Sequence, residues 1–446
     1  MQNKSSRPRV VVVGGGFGGL HAARALRRAP VDVTLIDRQN YHLFQPLLYQ
    51  VATGVLSPAN IAAPLRSIVR RQKNVTVLLG EVTDFDLENR RVLLGDDAIP
   101  YDYLIVAAGA THSHFGHDDW EPLAPGLKSI EDAIDIRARV LSAFEEAERA
   151  DNHQQQRELL TFVIVGGGPT GVELAGALSE LSRHTLKNDF RRIQPDAAKI
   201  LLIDAEPRLL SMFPEKLSAQ ALTHLEDLGA QVQLGTKVTD ITPSSVTVQH
   251  SEGQETIPVA TVLWAAGVKA SPLGKKLAAA AGCETDRAGR VSVQADVTLS
   301  GRPEVFVLGD MAHAKDEHDK PLPGVAPVAI QQGKYVAGVI RNRLAGKATK
   351  PFRYHDHGSM ATIGRSAAVV DMGKFQFGGL FAWLIWLFLH LVLLVTFQNR
   401  LLVLMQWMSS YVTHGRAARL ITGQRSAGHA PSAAAEAPET AGRGSE

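Results

Sequence analysis

Two copies of one local pattern constrain the fold of this chain more than any other feature. In each copy an apolar strand runs into a glycine-rich turn, a helical pattern follows, and a second apolar strand ends in aspartate. The first copy has its strand at 9–13 and its turn at 14–19, and the second has them at 161–165 and 166–171. A βαβ opening that returns after roughly 150 residues predicts an α/β fold with two Rossmann-like nucleotide-binding domains.

The first turn fits the pattern G-x-G-x-x-G with Gly14, Gly16 and Gly19. One glycine permits the tight bend, one lets the backbone approach a pyrophosphate, and one lets helix and strand pack closely. Asp37 ends the second strand 23 residues after Gly14, where a carboxylate can accept hydrogen bonds from a ribose. A turn without a ligand would also explain the glycines, but the strand, helix and acid around them favour a dinucleotide.

The second turn repeats the pattern with a longer spacing. Its closing acid, Asp204, comes 38 residues after the first glycine, and we interpret the polar segment 183–199 as an insertion. Asp204 and Glu206 would repel a 2′-phosphate, so the sequence favours NAD, although the nearby Arg208 keeps NADP open. The glycines of this turn are Gly166, Gly168 and Gly171.

Three further strands end in small residues. Segments 103–109 and 261–267 each run into an Ala-Ala-Gly turn that would let backbone pass close to a dinucleotide. Segment 305–310 ends in Gly-Asp, and Asp310 would suit a hydrogen bond to the ribityl chain of a flavin, although Gly-Asp alone is also an ordinary turn. The alternating segments 75–79, 91–94, 232–234 and 246–248 predict antiparallel strands.

Composition excludes several classes of protein. One cysteine, Cys283, excludes a disulfide framework, a redox-active cysteine pair, an iron–sulfur cluster and a cysteine-based zinc site. Lys and Arg total 47 against 45 Asp and Glu, and this net charge of +2 does not favour nucleic acid as a partner. Residues 1–9 run directly into a strand, so we expect no signal or transit peptide.

The C-terminal region is apolar. Residues 375–399 contain no Asp, Glu, Lys or Arg over 25 positions, and a second apolar run covers 401–412. Helices lying on a membrane are the preferred interpretation, and a single span through 379–398 or a buried dimer core are the alternatives. Residues 425–446 predict a disordered tail. An interfacial belt would use Trp383, Trp386, Trp407 and Tyr411, with Lys374, Arg400, Arg416 and Arg419 near headgroups.

These motifs together resemble the two-dinucleotide-binding flavoproteins, the glutathione-reductase-like superfamily, over about residues 9–345. In that superfamily an NAD(P) domain is inserted in an FAD domain. Its disulfide reductases need a cysteine pair near the flavin, and its peroxidases and oxidases need a cysteine soon after the first βαβ unit. Cys283 is far from that position in sequence, so these branches are excluded.

Within the superfamily the chain resembles the type II NADH dehydrogenases. The resemblance lies in 40–54 (NYHLFQPLLYQVATG), in 322–333 (LPGVAPVAIQQG), and in the order from 360–365 (MATIGR) to 397–400 (FQNR), so it spans 9 to about 423. It implies a non-proton-pumping NADH:quinone oxidoreductase that uses FAD, on the cytoplasmic face of a bacterial inner membrane, reducing ubiquinone or menaquinone. We also expect a homodimer with a membrane surface over 375–413.

The resemblance divides the chain into six predicted regions. They are the FAD domain (1–115 and 291–374), a connecting helix (116–160), the NAD domain (161–290), the membrane-anchoring region (375–424) and the tail (425–446).

The resemblance also assigns roles to individual residues. Glu173, which we place in the first turn of its helix, would lie near the nicotinamide and the quinone, although the helix dipole alone could explain an acid there. Gln331 and Gln332 would lie near flavin and quinone, and Lys374 near the flavin, although a plain membrane-flanking charge explains Lys374 nearly as well. Pro327 replaces a glutamine of many members, so a quinone contact of that glutamine cannot be transferred. The predicted cofactor-binding residues are Gly14, Gly16, Phe17, Gly19, Asp37, Arg38, Val82, Ala108, Gly109 and Asp310 for FAD, and Gly166, Gly168, Thr170, Gly171, Asp204, Glu206 and Gly267 for NADH.

Two rival functions remain at this stage. A soluble flavin-dependent NADH reductase of a ferredoxin-like protein would leave the apolar C-terminus without a use. A redox sensor would keep the cofactor folds without turnover. Histidines at 112, 114 and 117 and at 313 and 318 stand near acids, but they lack the spacing of a metal site, and we expect solvated loops there.

Overall fold

The computed structural model describes residues 7–413 and 415–422. A six-stranded sheet forms the first domain, and its centre is the valine-rich strand Arg9–Val13, buried from Val10 onward. Strand Arg302–Val307 pairs in parallel with Tyr103–Val106, so the intervening chain is inserted between two strands of one sheet. In spatial order the strands are Thr298–Leu299, Arg302–Val307, Tyr103–Val106, Arg9–Val13, Asp32–Asp37 and Val75–Leu79.

A four-stranded parallel sheet forms the inserted domain. Its central strand, Thr161–Val165, is buried at every position, as expected for a parallel sheet covered on both faces. This arrangement confirms the predicted α/β class with two dinucleotide-binding folds, one inserted in the other. The strand order is Gln231–Gln233, Lys199–Ile203, Thr161–Val165 and Thr261–Trp264.

Two of the four strands predicted to be antiparallel are parallel instead. Val75–Leu79 pairs with Asp32–Asp37, and Gln231–Gln233 pairs with Lys199–Ile203. Each follows a helix that carries the chain back across its sheet, so each extends the parallel sheet at its edge. Alternating apolar and polar residues occur in parallel and in antiparallel edge strands, so the sequence pattern did not distinguish the two directions.

The remaining strands form small antiparallel sheets and pairs. Arg91–Leu94 and Ser245–His250 are the centres of two three-stranded meanders, which confirms the antiparallel prediction for segments 91–94 and 246–248. The strands are Asp84–Asp86, Arg91–Leu94 and Asp97–Pro100; Lys237–Ile241, Ser245–His250 and Gly253–Pro258; Ser359–Ile363, Ala367–Asp371 and Gln376–Gly379; Tyr41–Leu43 with Ala62–Pro64; Ala110–His112 with Val268–Ala270; and the parallel pair Val291–Ser292 with Ala312–His313.

Helices cover the sheets and carry the glycine turns. Phe17–Ala25 begins after the first turn and packs against Ala326–Leu344, and Pro169–Glu180 begins after the second turn and continues into a π-helical turn, Leu181–Thr185. The other helices are Leu48–Ala52, Pro58–Ile61, Leu65–Val69, Ile130–Arg149, His153–Leu159, Glu215–Asp227, Leu273–Ala281, Leu380–Leu393 and Phe397–Thr413, with short 3₁₀ turns at Gln45–Leu47, Asp118–Trp120, Pro195–Ala197 and Gly309–Met311.

The apolar stretch 375–399 does not form one helix. Its first part is the strand Gln376–Gly379, which pairs with Ala367–Asp371, and the helix Leu380–Leu393 then has only 14 residues. The chain turns at Leu394, whose side chain is buried and whose carbonyl accepts a hydrogen bond from Arg400 Nε at 2.8 Å. Across residues 7–413 and 415–422, no helix combines the length and apolar character needed to cross a bilayer. The alternative of a span over 379–398 is therefore wrong.

Three residues predicted to face the membrane are buried instead. Trp386 and Trp407 pack inside the protein, and Arg416 forms an ion pair with Glu180 at 3.5 Å. Trp383 is partly buried, and Tyr411 is exposed. The side chains that this region does expose are mainly aliphatic and phenylalanine residues. They include Phe375, Leu380, Phe381, Leu384, Phe388, Val392, Leu393, Phe397, Leu401, Met405, Met408 and Val412. The predicted tail, 425–446, lies outside the described residues.

Candidate active site: two glycine turns and an enclosed acid

The first glycine turn has the geometry that a pyrophosphate site requires. Gly14 has φ +102°, and a Cβ on it would lie 2.3 Å from the carbonyl oxygen of Ala107. A Cβ on Gly19 would lie 1.9 Å from the oxygen of Gly14, so this position needs glycine for helix–strand packing. Gly16 has no atom within 4 Å of an added Cβ, which leaves its backbone open to a ligand.

The second turn repeats these three relations. Gly166 has φ +112°, and its added Cβ would lie 2.7 Å from the backbone of Ala265. The Cβ on Gly171 would lie 1.8 Å from the Gly166 oxygen, and Gly168 again faces open space. The first glycine, the open glycine and the packing glycine therefore have the same roles in both domains.

The acids that end the second strands brace their own turns. Asp37 accepts hydrogen bonds from the backbone N–H of Gly15 at 2.5 Å and of Gln39 at 2.7 Å. Burial raises the pKa of Asp37, and these two hydrogen bonds oppose that shift. Asp204 likewise accepts from the N–H of Gly167 and, at 2.9 Å, from that of Glu206. Each carboxylate thus orients the loop that would face the phosphates, in addition to its position beside a ribose.

The surroundings of Asp204 favour NAD over NADP. Glu206 is exposed, while the Arg208 guanidinium donates to the carbonyls of Phe213 at 2.6 Å and Ser211 at 2.7 Å. Its cationic group is thereby held in its own loop, where it cannot serve as a 2′-phosphate clamp without breaking these bonds.

The other predicted cofactor residues surround the turns. Gly109 and Gly267 both have positive φ, at +70° and +73°, and Gly267 lies under the ring of Phe115. Val82 is buried, and Arg38 is exposed beside Asp37. Phe17 and Thr170 occupy the N-terminal ends of the two turn helices, and the backbone N–H of Ala108 donates to Met311 Sδ at 3.2 Å.

Asp310 lies in the short turn Gly309–Met311 at the end of its sheet strand. The N–H of Gly309 donates to Gln332 Oε1 at 2.7 Å, and Gln332 is completely buried. Gln331 is on a different side of the same helix, and its amide exchanges two hydrogen bonds with the backbone of His355 at 2.8 and 3.0 Å. The two glutamines therefore have different neighbours, although they are adjacent in sequence.

Glu173 is the fifth residue of helix Pro169–Glu180, one turn further along than the sequence analysis placed it. Dipole stabilisation falls off within the first turn of a helix, so it does not account for an acid at this position. Burial raises the pKa of Glu173 to about 8, although its carboxylate accepts a hydrogen bond from the N–H of Thr362. The carboxyl group is therefore mostly protonated near neutral pH and can donate a proton.

A hydrogen-bond chain that the sequence did not predict joins the C-terminal helix to helix Leu48–Ala52, which packs against the helix of Glu173. Trp407 Nε1 donates to Gln50 Oε1 at 2.7 Å, and Gln50 Nε2 donates to Tyr49 Oη at 2.9 Å. Burial raises the pKa of Tyr49 well above its usual value, and the charge of Glu173 adds to the shift. Two adjacent polar residues in the otherwise apolar helix Leu48–Ala52 were the only sequence signal for this chain.

Lys374 is exposed at the tip of the hairpin between strands Ala367–Asp371 and Gln376–Gly379. Thr362, the partner of Glu173, pairs with Ala368, three residues or about 10 Å of strand before the end at Asp371. Helix Leu48–Ala52, which carries Tyr49, packs against the helix that carries Glu173, whereas Lys374 lies at the hairpin tip before the apolar helices.

The histidines near acids are not all in solvated loops, contrary to the prediction. His114 is buried and its Nε2 lies 3.1 Å from the Ala124 carbonyl, while His112 and His313 contact Asp132 at 3.1 Å and Asp286 at 2.9 Å. In the part of the chain that the structure describes, no three His, Cys, Asp or Glu side chains are grouped so that they could hold a metal ion.

Two glycine turns, one in each of two parallel sheets with one domain inserted in the other, define a protein that binds two dinucleotides. The family model described as pyridine nucleotide-disulphide oxidoreductase matches residues 8–333, and that of the NDH2 C-terminal domain matches 356–416.

Relatives of known name agree with these models. The type II NADH:quinone oxidoreductase Ndh of Mycobacterium tuberculosis is 49% identical over 94% of this chain and 91% of its own length. NdhA of the same organism, with the same description, is 48% identical over 94% of this chain and 90% of its own. The chain belongs to the type II NADH dehydrogenases, the FAD-dependent NADH:quinone oxidoreductases.

Solved structures show the same fold. NDH2 from Plasmodium falciparum in complex with NADH has a TM-score of 0.83 at 21% identity, and the match covers 91% of this chain and 98% of that one. A ferredoxin reductase from Rhodopseudomonas palustris has a TM-score of 0.63 at 18% identity, with 82% of each chain covered, a likeness of fold alone. The alternative of a ferredoxin-type reductase is not favoured.

Proposed function

We propose that this chain oxidises NADH and reduces a membrane quinone, with Glu173 as the proton-donating group on the quinone side. The observation that carries the assignment of Glu173 is its position: an acid held largely protonated by burial, on the helix that the NADH turn begins. Quinone reduction consumes two protons, so a protonated acid beside the redox centre supplies what the second half of the reaction needs.

The first domain fits FAD. Open space over Gly16, the braced carboxylate of Asp37 and the positive φ of Gly109 leave backbone free where a dinucleotide would lie. FAD, when bound, supplies the chemistry that accepts a hydride from NADH and delivers two electrons to a quinone. We assign Asp310 to the ribityl chain, and Gln332 supports this assignment because it fixes the Gly309 N–H next to it.

The second domain would hold NADH in the same way. Gly168 leaves its backbone open to the pyrophosphate, and Asp204 with Glu206 would face the adenosine ribose. We assign Gln331 and Lys374 to the edge of the quinone entrance, because Gln331 ties its helix to the loop at His355 and Lys374 lies at the start of the apolar region.

We further propose that the two C-terminal helices lie on the cytoplasmic face of the membrane in a homodimer. The exposed side chains of Phe381, Phe388, Phe397 and Val412 support this, since a soluble surface seldom exposes so many large apolar groups together. The pairing of strands 103–106 and 302–307 supports the proposed domain limits, with FAD residues 1–115 and 291–374 on either side of 116–160 and 161–290.

Anaerobic stopped-flow absorbance tests the assignment. NADH should bleach the flavin band of the detergent-purified protein, and a short-chain quinone should then restore it. Glu173→Gln should leave the bleaching rate within about twofold and slow the recovery by about 10²-fold or more, since general acid catalysis contributes at least that much. An unchanged recovery in Glu173→Gln would contradict the role of Glu173, and no recovery in wild type would contradict the quinone as acceptor.

A further inference from the structure

The chain Trp407–Gln50–Tyr49 connects a C-terminal helix to the interior of the protein. Trp407 belongs to helix Phe397–Thr413, whereas Gln50 and Tyr49 belong to helix Leu48–Ala52, more than 300 residues earlier in the chain. All three side chains are at least nine-tenths buried. Both hydrogen bonds have ordinary N–H···O lengths, 2.7 and 2.9 Å, and because they engage both ends of the Gln50 amide they leave this side chain little freedom.

The direction of each hydrogen bond is fixed by chemistry. An indole N–H can only donate, so Trp407 must face the oxygen of the Gln50 amide. The Gln50 nitrogen then points at Tyr49 Oη and occupies one of its acceptor positions. The hydroxyl hydrogen of Tyr49 is consequently directed away from Gln50, toward another group.

The group opposite Tyr49 is one face of helix Pro169–Glu180. Glu173, Ala177 and Glu180 are spaced i, i+4 and i+7, so they share this face. Ala177 and Glu180 line the same cavity as Tyr49 and Gln50, together with Trp386 and Trp407. The charge of Glu173 acts on Tyr49, as expected if the hydroxyl lies along this face.

We propose that Tyr49 is a positioning residue for Glu173, and that Trp407 holds it in place through Gln50. This inference rests on the role proposed for Glu173 and extends it. Through this chain, the docking of helix Phe397–Thr413 sets the orientation of the hydroxyl beside the proton-donating acid. The helices that would contact the membrane are thereby coupled to the delivery of protons to the quinone.

Among the described residues, charged groups on the elements packed around the helix of Glu173 include Glu180, Arg365 and Arg416. Glu180 is on its own helix, Arg365 follows strand Ser359–Ile363, and Arg416 follows the C-terminal helix; Glu180 contacts both arginines. Strands Thr161–Val165 and Lys199–Ile203 present buried Val, Ile, Leu and Phe side chains, and the buried residues of helix Glu215–Asp227 are Leu217, Ser218, Ala221 and Leu225. Helix Leu48–Ala52 contributes Tyr49, which lines the same cavity as Ala177 and Glu180.

The test compares Tyr49→Phe, Gln50→Leu and Trp407→Phe in the holoenzyme, each with checked flavin content and thermal unfolding. NADH bleaching should stay within about twofold of wild type in all three. The pH midpoint of flavin recovery by a short-chain quinone should rise by about half a unit or more, because loss of the hydroxyl makes the cavity face along this helix less polar and so disfavours the ionised carboxylate further. The double variant Gln50→Leu/Trp407→Phe should shift the pH midpoint no further than Gln50→Leu alone, since both substitutions interrupt the same hydrogen-bond chain.

Matched controls are Tyr101→Phe, which removes a buried hydroxyl without a hydrogen-bond partner, and Trp120→Phe, a buried tryptophan of another cluster. Both should keep the wild-type pH profile. A wild-type profile in Tyr49→Phe overturns the inference even if Trp407→Phe fails to fold, and an equal shift in the controls overturns it too. The two proposals fail in distinguishable ways. If the pH dependence of flavin recovery disappears in Glu173→Gln but is unchanged in the Tyr49, Gln50 and Trp407 variants, only the positioning role of Tyr49 is wrong. If Glu173→Gln keeps the wild-type pH dependence, the proposed role of Glu173 is wrong as well.

Discussion

The two glycine turns are alike in backbone and unlike in what surrounds them. Gly14 and Gly166 differ by only 10° in φ, and both closing acids hold the N–H of the second glycine in their turn. The first turn's helix packs against the long helix Ala326–Leu344, whereas the second packs against a hairpin strand, Ser359–Ile363, and carries Glu173. The turn thus determines that a pyrophosphate can bind, and the covering elements determine which chemistry surrounds it.

The largest expected effect is loss of cofactor binding, and it should affect a different cofactor at each turn. Gly16→Val and Gly168→Val add side chains that meet no protein atom within 4 Å of Cβ, so they fill only ligand space. Gly16→Val should purify without flavin colour. Gly168→Val should keep its flavin but lose bleaching by NADH at concentrations that saturate wild type. Absorbance spectra with and without NADH measure both, and a yellow Gly16→Val protein would contradict the assignment of the first turn to FAD.

The packing of the two turn helices can be compared with a second pair of variants. The Cβ of Gly333→Ala would lie 2.3 Å from the Gly18 carbonyl oxygen, and that of Gly176→Ala 2.8 Å from the Gly364 nitrogen. Both contacts are with backbone, and overpacking of this kind costs about 1–3 kcal/mol. We expect thermal unfolding at lower temperature for both variants, with the larger decrease and the greater loss of flavin in Gly333→Ala. Equal flavin retention would show that the long helix does not support the first turn.

Glu206→Arg should change the choice of nucleotide at the second turn. It replaces an exposed acid with a cation, while Arg208 remains bonded to Phe213 and Ser211. A charged hydrogen bond to the 2′-phosphate contributes about 1.5–3 kcal/mol, so kcat/KM for NADPH relative to NADH should rise at least about tenfold. Arg208→Ala is the control and should leave the ratio near that of wild type. A fall in NADPH use in the control would mean that Arg208 contacts the phosphate.

The last prediction concerns stability and the acid carried by the second helix. The folded-state pKa of Glu173, about 8, exceeds its usual value of 4.5, so the folded protein binds more protons between these pH values. Wild-type stability should therefore fall as pH rises through this window, and Glu173→Gln should remove that contribution. The difference in Tm between variant and wild type should grow in favour of the variant from pH 5 to pH 9. A constant difference would mean that Glu173 titrates normally.

Much of the fold was predictable because its signals are local. The positions of both turns, their closing acids and the insertion of one domain in another follow from residue patterns of fewer than 40 positions and from the resemblance. The edge strands Val75–Leu79 and Gln231–Gln233 were assigned the wrong direction, because alternation of side chains does not distinguish a parallel edge from an antiparallel one.

The amino-acid sequence by itself determined the backbone of the two turns, since glycine is favoured where φ is positive and is required where a Cβ would meet a carbonyl oxygen. Only the tertiary structure decided the environment of the acid and the aromatic residues. Desolvation raises the pKa of the Glu173 carboxyl group, and Trp407 and Arg416, which the sequence suggested as interfacial residues, are buried. Both results depend on helices and strands distant in sequence. The apolar composition of the C-terminal region predicts an apolar surface, but only the packing of its helices determines which of these side chains are exposed to solvent.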